Sequence, residues 1–478
     1  MPEVEIPIFN GVYRNVDESV SNDKNWEMYD AILDKEKNLF TRPGLLITAT
    51  ANSATADSPE NVAVIDGAFW WDSKETLVLV SGGLLYSVVA PFTTPVLVNV
   101  TQFFNIGVRP TFATYGDELF IANGSQIVKW VYSAGTVAYL TDAQAPTAVT
   151  HITIIDTYLV ANSVGTGNFY FADPADPSSW SALSFAGADA KPDILAAIYQ
   201  FRNELFMLGK ESVEVWEDDG QTPFARVNGG ALSTGCLAPY SVVESDNSLI
   251  FLAKNRRFVR IGGGQIANLD CPYEKEELQE WEVEDCRADR WDIIGKTIFV
   301  FWFPAQDVTI YFNETDNNWG RFGYWDSNSG SYQAFLGSCY ACDPATNNQF
   351  IGSRKANGKL YLLSPDYGDD NGDPIRVSTV SGHTNYGTNR EKVSRELTFN
   401  VSRGGVQDST EPVCTLRVKD NKGEWSNEIQ ISLGRMGEYY GSVSLPRMGR
   451  FRTRQYEFAC ADPVKFIFSD AKEDLVVV

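Results

Sequence analysis

Residues 77–89 read LVLVSGGLLYSVV, two apolar runs rich in Val, Leu and Tyr on either side of Ser81-Gly82-Gly83. β-Branched, aromatic and aliphatic residues flanking a glycine turn specify a β-hairpin. The same cassette recurs as LFIANGSQIVKWVY from Leu119, LFMLGKESVEVWED from Leu205 and LIFLAKNRRFVRIGGGQIANL from Leu249. Turn centres fall near Gly83, Gly124, Gly165, Lys210, Arg256, Asp307 and Gly358, at spacings of 41, 41, 45, 46, 51 and 51 residues. A drifting repeat of this length, four strands per unit, predicts the blades of a propeller. Seven blades are expected, or six if the two long intervals hide an insertion.

The expected fold class is therefore all-β, a β-propeller followed by a second domain. Residues 1–60 form an irregular lead-in, residues 61–370 the propeller, and SPDYGDDNGDP from Ser364 an acidic, turn-rich linker. Beyond it, RELTFNVSRG, CTLRVKD, NEIQISLG and RQYEFACADPVKFIFSDA alternate as strands, predicting a β-sandwich platform over 371–478. The lead-in is expected to pack on that platform, because propellers bring their chain ends together. Only EKEELQEWE from Glu274 suggests a helix, short and solvated at a rim.

Charge divides the chain. Residues 373–478 carry 15 Lys and Arg against 14 Asp and Glu, leaving 24 basic and 48 acidic groups in residues 1–372. A surface so acidic repels nucleic acid, which argues against a DNA-reading role. The start, MPEVEIPIFNGVYRN, lacks a basic segment followed by an apolar one, and no apolar run reaches membrane-spanning length. Seven scattered cysteines point to reduced thiols and synthesis in a cytosol rather than a disulfide framework.

Catalytic and metal chemistry find little footing. Of the two histidines, His151 lies in the apparent blade strand HITIIDTYLV and reads as packed or surface. There is no G-x-S-x-G elbow and no H-E-x-x-H helix. Cys339 and Cys342 form a C-x-x-C without a second pair, and the linker acids Asp366, Asp369, Asp370 and Asp373 read as solvated. No cofactor or metal is expected. Arg447, Arg450, Arg452 and Arg454, with Arg435 upstream, form a basic cluster. The last three alternate and on one strand would share a face, a row suited to carboxylates of a neighbouring subunit or adaptor.

These motifs resemble the tail-hub, or tail-nozzle, proteins of short-tailed bacteriophages, also called packaged-DNA stabilisation proteins. The likeness runs nearly end to end. It includes Asn25, Tyr29 and Arg42-Pro43-Gly44-Leu45, then Glu214, Pro223, Phe224, Gly235, Cys236, Ala238, Pro239 and Tyr240. It continues through Pro304, Tyr311 and Trp319 to Gly449, Arg450, Asp462, Pro463 and Val464. Lys296, in place of an expected histidine, and the longer linker near Asp369 depart from the pattern. The resemblance implies a non-enzymatic virion tail protein forming a hexameric ring below the portal and its adaptor. It would line the DNA exit channel without binding DNA specifically, retain the genome and carry tail fibres or spikes. The rival expectation is a propeller lectin or glycosidase acting on host glycans, with Trp70, Trp71, Trp319 and Trp325 stacking on sugars.

Overall fold

The computed structural model describes residues 4–6, 12, 25–36, 38–51, 63–188, 191–218, 220, 223–403, 412–433, 440–462 and 466–478. Seven four-stranded antiparallel units surround one axis, so the count is seven rather than six. Their innermost strands are Ile65–Trp71, Thr111–Tyr115, Ile152–Ile155, Leu195–Phe201, Val243–Ser245, Arg287–Ile293 and Gly337–Asp343. The two long intervals do contain insertions, which add no blade. One is the segment around the short helix Glu277–Glu280, and the other is the extra strand Ser331–Ala334 on blade six. The helix is less solvated than expected, since Leu278 is fully buried between blades five and six.

The hairpin turns require their residues. Gly83 has φ +79°, and a Cβ there would lie 2.5 Å from Gln102 Cγ. Arg256 and Asp307 adopt the same left-handed conformation without being glycine, at φ +60° and +51°. Within blades, alternate side chains pack between neighbouring sheets. Val78, Val80, Leu119 and Ile121 join blades one and two, and Phe258, Phe301, Phe312 and Trp319 join five and six.

The ring closes through the lead-in. Gly44–Thr50 pairs antiparallel with Lys359–Ser364 as the fourth strand of blade seven, with Leu46 opposite Leu362. These residues belong to the propeller, a correction to the expected 1–60 boundary. The rest of the described lead-in lies in the platform. Val4–Glu5, Ala31–Leu33 and Leu39–Thr41 join Phe466–Val477, Lys392–Arg403 and Tyr440–Phe451 in one sheet. Asn25–Tyr29 joins Val377–Ser381, Arg454–Cys460, Val413–Asp420 and Ile429–Ser432 in the other. That second sheet continues into blade six, where Tyr29 pairs parallel with Arg321. One core spans the junction, from Trp291, Phe322 and Phe335 to Leu397, Phe399, Leu416 and Phe458.

A buried ion cluster fastens this junction. Arg42 Nε donates to Asp30 Oδ1 at 2.7 Å, while Nη1 and Nη2 reach Asp370 at 2.9 and 2.5 Å. Asp370 is thus buried and paired, not solvated as the linker composition implies. Burial pushes the Asp30 carboxyl up to about 6, against the pull of Arg42. Removing one member of a buried ion pair strands the other and typically costs about 3–5 kcal/mol. Arg42→Met is expected to lower unfolding stability by that amount in urea denaturation, and a loss under about 1 kcal/mol would remove the cluster from its structural role.

Candidate functional site

The inner strands enclose a channel of about 730 Å³ lined by residues from all seven blades. The charged groups that cross it arise where the inner strands begin. Arg109, two residues before its strand, donates from Nη2 to Asp289 Oδ1 at 2.5 Å and to the Ala288 carbonyl at 3.2 Å. Blades two and six lie as far apart as a seven-membered ring allows, so this pair spans the axis. Arg287 repeats the crossing, donating to the Gly107 carbonyl at 2.8 Å, and the Gly107 amide donates to Asp66 at 3.1 Å. Burial opposes the Arg109 charge, but Asp289 more than offsets it and holds the guanidinium protonated. Burial and neighbouring Arg109 together lower Arg287. The axis is therefore barred by alternating charges.

His151 completes this end of the channel. Its ring stacks on Tyr240 at 4.8 Å between centroids, and Nδ1 lies 3.0 Å from Thr150 Oγ1. Burial, with a smaller push from Arg109, lowers its pKa to about 4. This packed, neutral imidazole fits the bland reading of the sequence. Asp289 is committed to Arg109, and Asp66 Oδ1 accepts from a backbone amide. Along the strand Gly337–Asp343, Cys339 and Cys342 are three residues apart and so point to opposite faces.

A second concavity, about 390 Å³, lies where the platform meets blade six. Tyr29 stacks on Tyr332 at 4.0 Å, and Arg376 lies 4.2 Å over Trp325. Glu457 takes both Arg417 and Arg376, the latter at 3.4 Å. Of the tryptophans considered for sugar stacking, Trp71 and Trp319 are core residues. Trp70 packs on Phe92 and Phe350, and Trp325 is occupied by Tyr332 and Arg376.

The basic cluster divides. Arg450 is the next-to-last residue of the strand Tyr440–Phe451, the chain turns at Arg452-Thr453, and Arg454 opens the next strand. The shared face expected from their alternation therefore does not exist. Arg454 is fully buried, bound to Asp420 at 2.6 Å and Glu473 at 3.0 Å, and lies 3.9 Å over Phe451. Arg447, Arg450 and Arg452 remain exposed, Arg447 in a left-handed kink at φ +60°. Arg435 lies outside the described residues.

Positions that carried the family resemblance have structural reasons. A Cβ on Gly235 would sit 1.9 Å from the Lys210 carbonyl. Tyr311 is buried and donates to the Ala31 carbonyl, tying blade six to the lead-in. The divergent Lys296 pairs with Asp316.

Fold and site together define a closed-axis β-propeller joined to a β-sandwich, an architecture built around packing and ion pairs. The family described as "Bacteriophage P22 Gp10, beta-propeller" matches residues 4–262, more than half the chain, and the chain belongs to it. It is a bacteriophage structural protein. No curated protein matches the chain. Among solved structures, the N-terminal domain of Nup159 is similar at 10% identity and TM-score 0.42, covering 68% of this chain and 95% of that one. The Neurospora crassa Pan2 WD40 domain is similar at 7% identity and TM-score 0.44, covering 68% and 97%. The extracellular domain of a putative hybrid two-component system from B. thetaiotaomicron has 10% identity and TM-score 0.44, covering 92% and 63%.

The depressed His151 pKa fixes the sign of a pH effect. The unfolded imidazole protonates near its ordinary value of about 6.5, the folded one only near 4. Its contribution to stability therefore falls between pH 6.5 and 4 and is level below that. His151→Gln is expected to lose less unfolding free energy than the parent over this interval, and parallel pH profiles would contradict the assignment.

Proposed function

We propose that this protein is the tail hub, or nozzle, subunit of a short-tailed phage. Six copies form a ring below the portal and its adaptor, and the lumen between copies is the exit path for DNA. The ring retains the packaged genome and anchors fibres or spikes on its outer surface. Family membership supports the virion role. The observation that carries the finer reading is the barred axis, where Arg109 and Asp289 cross the channel. A cavity of about 730 Å³ has no room for a duplex whose major groove alone is about 12 Å wide. DNA must then pass between subunits, and a ring is the arrangement that provides such a passage.

The platform is the part suited to form that ring. Its C-terminal part, residues 373–478, carries 15 basic and 14 acidic groups, while residues 1–372, which hold the whole propeller together with the lead-in, carry 48 acidic and 24 basic groups. Six such acidic bodies repel, so they belong at the periphery or along a wide lumen. Tyr440–Phe451 is an edge strand whose described partner is Lys392–Arg403 alone, and it presents Arg447 and Arg450 with Arg452 just beyond. These three meet a neighbouring subunit or the adaptor, while Arg454 holds the platform together internally. Like charge along the lumen lets DNA slide without the cationic contacts that would trap it.

Replacing Arg447, Arg450 and Arg452 together by alanine is expected to abolish ring assembly or adaptor docking. The isolated subunit should keep its unfolding midpoint, since exposed substitutions shift stability by only about 0.5 kcal/mol. Light scattering at matched salt reads the outcome, and unchanged assembly together with unchanged docking would overturn the interface assignment.

A further inference from the structure

We propose that Cys414 and Cys460 are a dithiol poised to close into a cross-strand disulfide that locks the platform after the protein leaves a reducing cytoplasm. The two residues are register partners on the antiparallel strands Val413–Asp420 and Arg454–Cys460. Directly opposed residues in such a pair have Cα atoms about 4.5 or 5.5 Å apart. Both separations fall within the range of about 4.4–6.8 Å that a disulfide spans. Opposed residues also share a face, and here it is the inner one, with Cys414 fully buried and Cys460 2% exposed. The Cys460 thiol lies within hydrogen-bonding reach of Cys414 and 3.8 Å from the Val413 carbonyl.

The arrangement is specific to these two. Among the described residues no other cysteines are register partners: Cys236 faces Ala253, Cys339 faces Gly352 and Cys342 faces Gln349. Burial, and the neighbouring Cys460, hold the Cys414 thiol well above its ordinary pKa, which keeps it unreactive while the sheet is closed. Access comes from the strand ends. Cys414 is the second residue of its strand and Cys460 the last of its own, where local opening is easiest.

The oxidant is a low-molecular-weight disulfide. Cys414 thiolate attacks one sulfur of glutathione disulfide, forming a mixed disulfide and releasing glutathione thiolate. Cys460 thiolate then attacks the Cys414 sulfur and expels the second glutathione. Two protein thiols are oxidised, one disulfide is reduced, and two protons leave with the released thiols or to solvent. The bridge closes a loop that contains Ile429–Ser432 and Tyr440–Phe451, so it restrains that part of the platform in the unfolded chain.

The test uses the full chain purified under reductant, then incubated with glutathione disulfide at neutral pH. Remaining thiols are alkylated, and peptides are mapped by mass spectrometry without reduction. The half-exposed Cys342 reports that the oxidant is active. The expected result is a Cys414–Cys460 linked peptide lacking two hydrogens, with a higher urea midpoint that dithiothreitol reverses. Three results would overturn the proposal. Both cysteines alkylated while Cys342 carries glutathione would show that the pair does not close. Glutathione left on Cys414 or Cys460 without the link would show that the second exchange cannot occur. A linked protein with an unchanged or lower midpoint would show that the bridge locks nothing.

Discussion

Arg42 is the residue on which the arrangement of the two domains turns. It lies where the lead-in leaves the platform and enters the propeller. Its guanidinium is shared between Asp30 on the platform side and Asp370 in the linker, while Nη2 also donates to the Gly323 carbonyl of blade six at 3.2 Å. The same group lies 4.9 Å over Phe335. Each following residue is then constrained. The Pro43 carbonyl accepts from Arg42 Nη1 at 3.1 Å. Gly44 passes so close to the linker that a Cβ would meet the Asp369 carbonyl at 2.3 Å. Leu45 is fully buried and pairs with Leu363, which starts the closing strand of the ring. Burying these charges is costly, and the shared guanidinium offsets that cost for both carboxylates, though Asp30 Oδ2 takes no hydrogen bond.

Closure of a propeller by a strand from the opposite chain terminus makes the ring one cooperative object. Here the strand that closes it is preceded by platform strands, and the platform's second sheet runs unbroken into blade six. Relative motion of the domains would have to break that sheet, the Arg42 cluster and the shared core together. Arg321 adds another tie, reaching Glu277 at 2.5 Å and lying 4.8 Å over Tyr273 and 5.7 Å over Tyr29. A rigid subunit of this kind suits the proposed ring.

What the sequence revealed follows the range of the interactions. The hairpins were legible because strand alternation and turn chemistry are local, as at Ser81-Gly82-Gly83. That residues 44–50 close the ring was not, because their partner Lys359–Ser364 lies more than three hundred residues away. The basic cluster misled for a related reason. Alternation suggested one strand, but a turn at Arg452-Thr453 separates Arg450 from Arg454, and a buried guanidinium looks like an exposed one in a list of residues. Asp370 was hidden the same way, a buried partner of Arg42 inside a run whose composition reads as solvated linker. The cross-axis pair of Arg109 and Asp289 depends on ring geometry and carries no local signal at all.

If the proposed function holds, DNA travels between copies of this protein and never along a propeller axis. Electron cryomicroscopy of the assembled tail distinguishes the two paths. The expected map has a six-fold ring joined through its platforms, DNA density in the shared lumen, and each propeller axis closed at Arg109 and Asp289. DNA density threading a propeller, or a tail in which the chain sits as isolated copies without a shared lumen, would contradict it.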